Sequence, residues 1–587
     1  MVRWELLEEL FAPPEKGPNK LYTLKEVVQE FIKPGSLIHF SVSSSYPFAV
    51  VYEMIREYMG TADKKFDVIV AGASMNVGIM VAAGLIRKVI ASYAGDVYPR
   101  PSPSPIIQRA VMKGEIEIEN LSLLSYVQRL LAGALNLEFM PTNSLMGTSL
   151  SDENAKRGVY KEIEDPFGSG KKIGLIKAIK PDIALIHGWA ADPSGNTIIC
   201  APLGEDRFGI LSARTVIVTV ERLVDMSFIR KHAHMVRIPA HFVDAVVHIP
   251  FGAHPACMRG ILPHEGYAED IDFILDYRRA SKREDTMQKW LKEWVIDVKD
   301  HEGYLKKLGR DRLLKLCARN APGAWKTELI NKVDQISGEY PYSPVEMMTV
   351  AAARVLASKV KEKNYEIILA GHGISNLAAW LAYKILQKEN VPAELIAEIG
   401  FYGYDPRPGN PFIFNWQNIH VCKSLITILE TLGMVLPNSR TLASLAAGQI
   451  DKNGNINSTK AMGFFLVGSG GANDVGNMAK EIVVTVPHTK LRLVEKVEYV
   501  TTRGDKVSTI VTTLGILERK NGEFVLTHVL PIEDMSKEEI IRKAVKNTGW
   551  ELKVADDVKE VPPPTEEELL IIRIYDPDRF YLREERF

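Results

Sequence analysis

One carboxylate stands where an apolar run ends. In Glu394-Leu395-Ile396-Ala397-Glu398-Ile399-Gly400 the acid at 398 follows residues suited to a buried strand. A charge is costly to desolvate, and open α/β sheets bind ligands at their strand tips, so Glu398 is a candidate for chemistry. The other reading is an acid paired with an arginine or capping a loop amide. Further on, Gly468-Ser469-Gly470-Gly471-Ala472-Asn473-Asp474 follows the apolar run FFLV. Amides in such a loop can converge on one anion or on a developing oxyanion. Its sixth position is Asn473, not glycine, so it is no dinucleotide fingerprint, and no GKS or GKT follows to make a P-loop.

Histidines invite a metal reading. His232, His234, His241, His248, His254 and His264 fall within 33 residues, at spacings of 2, 7, 7, 6 and 10. These do not repeat the i, i+4 face of a helical zinc site, and no neighbouring acid completes a ligand set, so no metal is expected. His254, in the loop PFGAHP, is a candidate to line a cleft. His187 and His372 are expected at strand ends, satisfied by hydrogen bonds. There is no GxSxG nucleophile elbow.

These residues must be positioned by a large α/β scaffold. The chain has 587 residues, of which 46% are hydrophobic and 25% charged, the usual globular balance. Its formal net charge of -1 lacks the basic excess of a nucleic-acid binder, and its aromatics are not interleaved with basic residues. Cys200, Cys257, Cys317 and Cys422 lie far apart with no CxxC pair, which excludes a zinc finger and a disulfide framework and points to a reducing, cytoplasmic compartment. The N-terminal Met-Val-Arg-Trp-Glu-Leu-Leu-Glu-Glu is acidic where a signal peptide needs an apolar core. No charged residue occurs from Val68 to Ile86, but small and polar residues interrupt the run. It is expected to be a strand (DVIVAG), a loop (ASMNVG) and a helix (IMVAAGLIRK), not a membrane span.

Alternating strand and helix patterns predict helix-covered parallel or mixed sheets. PDIALIH (181–187), TVIVTVE (215–221) and VDAVVHIP (243–250) are predicted strands, and LAAWLAYKIL (377–386) a sandwiched helix. From Asp270 to Lys332 the chain is charge-rich and helical, and SGEYPYSPVEMM then opens a new helix. A domain boundary is placed near residue 325, giving units 1–325 and 326–587. Across it runs an internal repeat. LIHFSVSSSYPFAVVYEMI (37–55) resembles IILAGHGISNLAAWLAYKI (367–385), VIVAGAS (68–74) resembles ELIAEIGFYG (394–403), and ADPSGN (191–196) resembles IDKNGN (450–455). In the last pair Asp should cap the backbone and Gly take positive φ. The fold class expected is α/β, two similar open α/β/α sheet domains in tandem duplication. The repeat is asymmetric: where the second half has Glu398, the first has Ala71-Gly72-Ala73.

The C-terminal half resembles the β subunit of the family I CoA-transferases through Gly448–Thr459 (GQIDKNGNINST), GSGGANDV (468–475) and VEKVEYVTT (494–502). The N-terminal half resembles the α subunit through AGALNLEFMPTNSLMGTS (132–149), KPDIALIHGWAADPSGN (180–196) and FGAHP (251–255). The resemblance covers nearly the whole chain and is to the glutaconate-type branch, with α and β fused. It departs in Ile399, where one branch has Asn, and in Gly371-His372-Gly373-Ile374-Ser375, which lacks the usual proline. Glu119-Asn120-Leu121-Ser122 offers no clear equivalent of the α-subunit glutamine that some members use.

The resemblance implies that Glu398, in a Glu-x-Gly motif, is the nucleophile. Its carboxylate attacks an acyl-CoA thioester, and the resulting anhydride resolves to a glutamyl-CoA thioester that a second carboxylic acid discharges. A thiolate leaves without a general acid, so no His–Asp partner is required. Oxyanion and CoA contacts are expected from Gly470, Gly471, Ala472, Asn473 and Gly400, and Ser74, His254 and Gln449 are expected in the cleft between the halves. Coenzyme A enters as substrate, with no bound cofactor, no nucleic acid or membrane partner, and assembly as a homo-oligomer. The alternatives are an acyl-CoA or ring-opening hydrolase on the same scaffold, and a non-catalytic ligand-binding protein.

Overall fold

The structure, a computed structural model, describes residues 3–41, 46–61 and 63–583. Loop residues 42–45, inside the first repeat segment, lie outside the described residues. Two large sheets organise the chain. In the first, seven parallel strands run in the order Ala245–His248, Thr215–Leu223, Ile183–Ala191, Leu37–Phe40, Phe66–Ala73, Ile86–Ala94 and Glu117–Asn120. In the second, five parallel strands run in the order Glu394–Ala397, Ile367–Ala370, Thr441–Ala446, Glu481–Val486 and Val507–Thr512. In both sheets the first strand of the half lies between its second strand and a strand from later in that half, Ile183–Ala191 in one and Thr441–Ala446 in the other. The second sheet continues through the antiparallel strands Gly515–Lys520 and Glu523–Val529 to Lys553–Glu560.

The matched turns agree with the duplication in atomic detail. Asp192 Oδ1 accepts from the Ser194 and Asn196 N–H groups, both at 3.0 Å. Asp451 Oδ1 accepts from the Asn453 and Asn455 N–H groups at 2.9 and 3.0 Å. Gly195 and Gly454 take φ of +102° and +82°, as the sequence reading requires.

Strand alternation explains why these segments read as continuous apolar runs. Ile368, Leu395, Ala397, Leu442 and Val483 face one way, into a cluster with helices Pro344–Lys363 and Ile374–Lys388. Ile367, Leu369, Ile396, Ala443, Ile482 and Val484 face the other way, into a cluster that also holds Leu124, Val68 and Val89 of the first half. One apolar core therefore spans both halves. Between the sheets, helices from Ile271–Ser281 to Trp325–Ile330 form the charged segment, so position 325 opens its last helix. The motif Ser343-Pro344-Val345-Glu346 starts the next helix with a capping box and Pro at the first turn.

One expectation is corrected. The expected helix 79–88 is helical only to Ala82: the helix is Met75–Ala82, taking in most of the expected loop 73–78, and Ile86 begins a nine-residue strand. Gly84 ends the helix at φ +74°, with Leu85 N–H donating back to the Met80 carbonyl at 3.0 Å. Among the described residues no helix is long and apolar enough to cross a membrane.

Candidate active site

Glu398 begins the turn after strand Glu394–Ala397, which returns antiparallel as Phe401–Tyr402. Gly400 makes that return feasible. It sits at φ +113°, its N–H donates to the Ala397 carbonyl at 3.0 Å, and a Cβ there would lie 1.8 Å from the Ile426 carbonyl oxygen. The second glycine of the site is Gly471, where a Cβ would lie 2.1 Å from Glu398 Oε2. The carboxylate thus rests against bare backbone, and only glycine leaves it room.

The loop carrying Gly471 crosses into the first half. Ala94 N–H donates to the Val467 carbonyl at 2.7 Å, Gly470 N–H to Ser92 at 3.0 Å, and Leu123 N–H to Gly470 at 3.0 Å. Asn120 Nδ2 reaches the Ala91 and Ser92 carbonyls at 3.1 and 3.0 Å, close under Gly468. Buried Asn473 accepts from Leu145 N–H at 2.9 Å and donates to the Thr501 carbonyl at 2.9 Å. Buried Asp474 accepts from Leu124 N–H at 2.9 Å and from Ser144 Oγ at 2.6 Å, at the start of helix Leu123–Ala134.

This fastening corrects the expected amide cradle. The N–H groups of Gly470, Ala472 and Gly400 are spent on Ser92, Ser469 and Ala397, and the Asn473 amide is fully engaged in tying loops together. Gly471 remains, its backbone lying against the Glu398 carboxylate and favouring its charged form.

Electrostatics sets Glu398 apart. Its surface is only partly exposed, and among the described residues no lysine or arginine forms an ion pair with it. Enclosure by protein, then the neighbouring Asp474 carboxylate, push its pKa up to about 7, against the pull of the Gly471 amide. Burial likewise pushes Asp474 up to about 6. Burial raises other acids too, Asp96 to about 6 and Glu269 in direction, but these have Arg278 and Arg319 beside them. Glu119 is held low by the Arg129 and Lys88 cations despite its burial. The reading of Glu398 as an arginine-paired acid therefore fails.

Comparison with known proteins bears on this geometry. A family model for coenzyme A transferases matches residues 22–248. The first of the subunits of glutaconate CoA-transferase from Acidaminococcus fermentans is 29% identical over 317 residues, covering 51% of this chain and 94% of that protein. The second of the subunits of 3-oxoadipate CoA-transferase from Pseudomonas knackmussii is 31% identical over 256 residues, covering 40% of this chain and 92% of that protein.

The chain belongs to the coenzyme A transferase family.

It is similar to both kinds of polypeptide that make up such enzymes, fused in one chain. The fold agrees: the acyl-CoA transferase apoenzyme of Escherichia coli O157:H7 superposes with a TM-score of 0.66 at 15% identity, covering 95% of this chain and 97% of that one.

Within this CoA-transferase scaffold the remaining candidates separate. Ser74 follows strand Phe66–Ala73 as Glu398 follows its own strand, partly exposed, with its N–H on Asn76 Oδ1 at 3.0 Å. His254 is no cleft residue. It is buried, with Nδ1 2.6 Å from the Tyr304 hydroxyl and Nε2 2.9 Å from Asp270 Oδ2, and Arg312 grips the same carboxylate at 2.5 and 2.8 Å. That network fastens the helical segment to the first half. Gln449 is likewise structural, donating to the Leu491 carbonyl at 3.1 Å and accepting from Asn457 Nδ2 at 3.0 Å. His187 is satisfied as expected, by Thr219 and Glu221 at 2.8 and 2.6 Å. His372 is not: its Nε2 has no hydrogen-bond partner among the described residues. Sequence reasoning missed Asp474, Ser92 and Asn120, whose roles depend on a loop from the other half.

Proposed function

We propose that the protein moves CoA from an acyl-CoA to a free carboxylic acid, through a glutamyl-CoA thioester on Glu398. The observation that carries this reading is a partly open carboxylate, without a cation partner among the described residues, resting on the Gly471 backbone at a strand tip. The E. coli acyl-CoA transferase, whose fold this chain shares, has also been solved as a thioester complex with CoA, and this supports CoA as the substrate here. An Oε of Glu398 attacks the thioester carbonyl, and the C–S bond breaks to give a mixed anhydride and CoA thiolate. The thiolate attacks the glutamyl carbonyl, expelling the first acid as carboxylate. A second carboxylate then attacks the glutamyl thioester, and the released thiolate attacks the new acyl group, restoring Glu398. No proton need be supplied at any stage, which fits a site without a His–Asp pair. The Gly471 N–H, beside the carboxylate, would favour negative charge developing there, and an oxyanion donor of this kind contributes about 3 kcal/mol.

Initial rates against both substrates should give parallel lines, as a covalent intermediate requires. Hydroxylamine should inactivate the protein only after acyl-CoA has been added, and the modified mass should map to the peptide containing Glu398. Intersecting lines, or CoA release at full rate without an acceptor acid, would favour hydrolysis.

A further inference from the structure

Two apolar surfaces lie open outside the candidate site, and they complement each other. The first is the helix Trp4–Phe11, an eight-residue element in which no residue is buried. At about 3.6 residues per turn, Trp4, Leu6, Leu7, Leu10 and Phe11 fill one half of its circumference and Glu5, Glu8 and Glu9 the other. Trp4 and Phe11 are 77% and 80% exposed. A helix this short is marginal in water on its own, so a surface covering its apolar half would stabilise it.

The second is one face of the antiparallel sheet formed by Phe139–Thr142, Lys172–Lys177 and Tyr160–Glu164, with Lys172–Lys177 in the middle. Its inner face sends Tyr160 and Ile176 into the core. Side chains alternate along a strand, so the outer face carries the other set. There Phe139 lies opposite Lys177, Pro141 and Lys161 flank Leu175, and Ile163 faces Ile173, all of them at least partly exposed. Nearby in sequence, Leu135, Leu137 and Phe167 are exposed as well. The charges in this outer set are two lysines, whereas Glu162 and Glu164 have the inner parity. An acidic apolar helix and a basic apolar sheet face are thus matched in both charge and hydrophobicity.

The helix cannot reach this face within its own chain. The Pro14 carbonyl accepts from Arg230, Lys20 N–H donates to the Pro193 carbonyl at 2.8 Å, and Leu21 bridges Val246 on the edge strand Ala245–His248. The three-stranded sheet is fastened to the opposite edge strand, Glu117–Asn120. Asn154 Nδ2 donates to the Asn120 carbonyl at 2.9 Å, and Arg157 donates to the Ile118 carbonyl at 3.2 Å. Six strand spacings, about 29 Å, separate the two edges. From Pro14, the link to Phe11 and the helix itself span about 22 Å. A lipid surface is disfavoured, because anionic headgroups repel a helix whose polar half is acidic. We infer that the helix Trp4–Phe11 of one copy of this chain docks on the outer sheet face of a second copy, with Glu8 and Glu9, which border its apolar half, beside Lys161 and Lys177.

The full chain tests this without any substrate. Mixed ¹⁴N- and ¹⁵N-labelled chains treated with a carbodiimide should give peptides that join Glu8 or Glu9 of one isotope to Lys161 or Lys177 of the other. By sedimentation, Trp4→Ser with Phe11→Ser should weaken self-association at least about tenfold, and both side chains are too exposed for the fold to depend on them. Lys161→Glu with Lys177→Glu should weaken it about tenfold, as should Glu8→Lys with Glu9→Lys, since like charges then meet. Mixing these two charge-reversed chains should restore association, because the reversed helix of one then meets the reversed sheet of the other. Glu5→Lys, at the middle of the polar half, should change little. A chain that stays monomeric at every concentration, cross-links confined to one isotope, or association unmoved by Trp4→Ser with Phe11→Ser would overturn the inference. So would a monomeric chain whose helix binds vesicles of phosphatidylcholine and phosphatidylglycerol.

Discussion

Glu398 pairs reactivity with instability. Its pKa lies at about 7 in the folded chain against an ordinary 4.5, so the folded state favours the protonated form. Stability is therefore highest below pH 4.5 as far as this group is concerned, and is lost as pH rises through 7. Glu398→Gln should raise the melting temperature at pH 8 but not at pH 4, by about 1–3 kcal/mol of stability, while turnover falls at least about a thousandfold. Glu398→Asp should also fail, because one methylene less withdraws the oxygen by about 1 Å. A variant that turned over normally would remove Glu398 from the chemistry. Asp474 is the next residue to test. Since its charge raises Glu398, kcat/KM should climb with pH through about 7 in the wild type, and Asp474→Asn should move that climb to lower pH. An unmoved profile would show that Asp474 only fastens the helix start at Leu124.

At the scale of elements, the site is a turn and a loop held face to face by two glycines for different reasons. Gly400 is fixed by its positive φ and by the Ile426 carbonyl, and Gly471 by the carboxylate that lies on it. Gly400→Ala should cost about 2–4 kcal/mol, since the backbone has to move to admit a methyl group, and should be visible in thermal unfolding. Gly471→Ala should leave the melting temperature nearly unchanged, because the flexible Glu398 side chain can swing away. Its kcat should drop about a hundredfold, the scale expected for a displaced reacting group. If Gly400→Ala melted like the wild type, the account of the Glu-x-Gly turn would be wrong.

At the scale of the molecule, the two halves share one apolar core and exchange hydrogen bonds through the 467–474 loop, so neither half presents a finished site. The helical segment joins in: Gln417 Nε2 donates to the Arg319 carbonyl at 2.8 Å, and His420 Nε2 bonds the Asn320 carbonyl at 2.9 Å. A chain cut between residues 332 and 336 should regain activity when 1–332 and 336–587 are produced together, and show none from either piece alone. Full activity from 336–587 would mean that Ser92, Asn120 and Leu123 contribute nothing to the placing of Gly471.

The sequence alone determined several of the sheet strands, the duplication and the singular glutamate, because each is written in local pattern. Apolar runs of strand length, an Asp-x-x-Gly-Asn turn and a Glu-x-Gly after a strand need no knowledge of distant residues. The segment 73–88 was misplaced because the helix starts early, at Met75, and because Gly84, with its positive φ, ends a helix that the apolar pattern would have continued. Tertiary structure decided the partners. Whether the Gly470 amide meets an oxyanion or the Ser92 carbonyl, whether His254 faces a cleft or the Asp270 carboxylate, and whether His372 is satisfied all depend on segments remote in the chain. Hydrogen bonds and desolvation act over a few ångströms, and only the folded chain fixes which groups come that near.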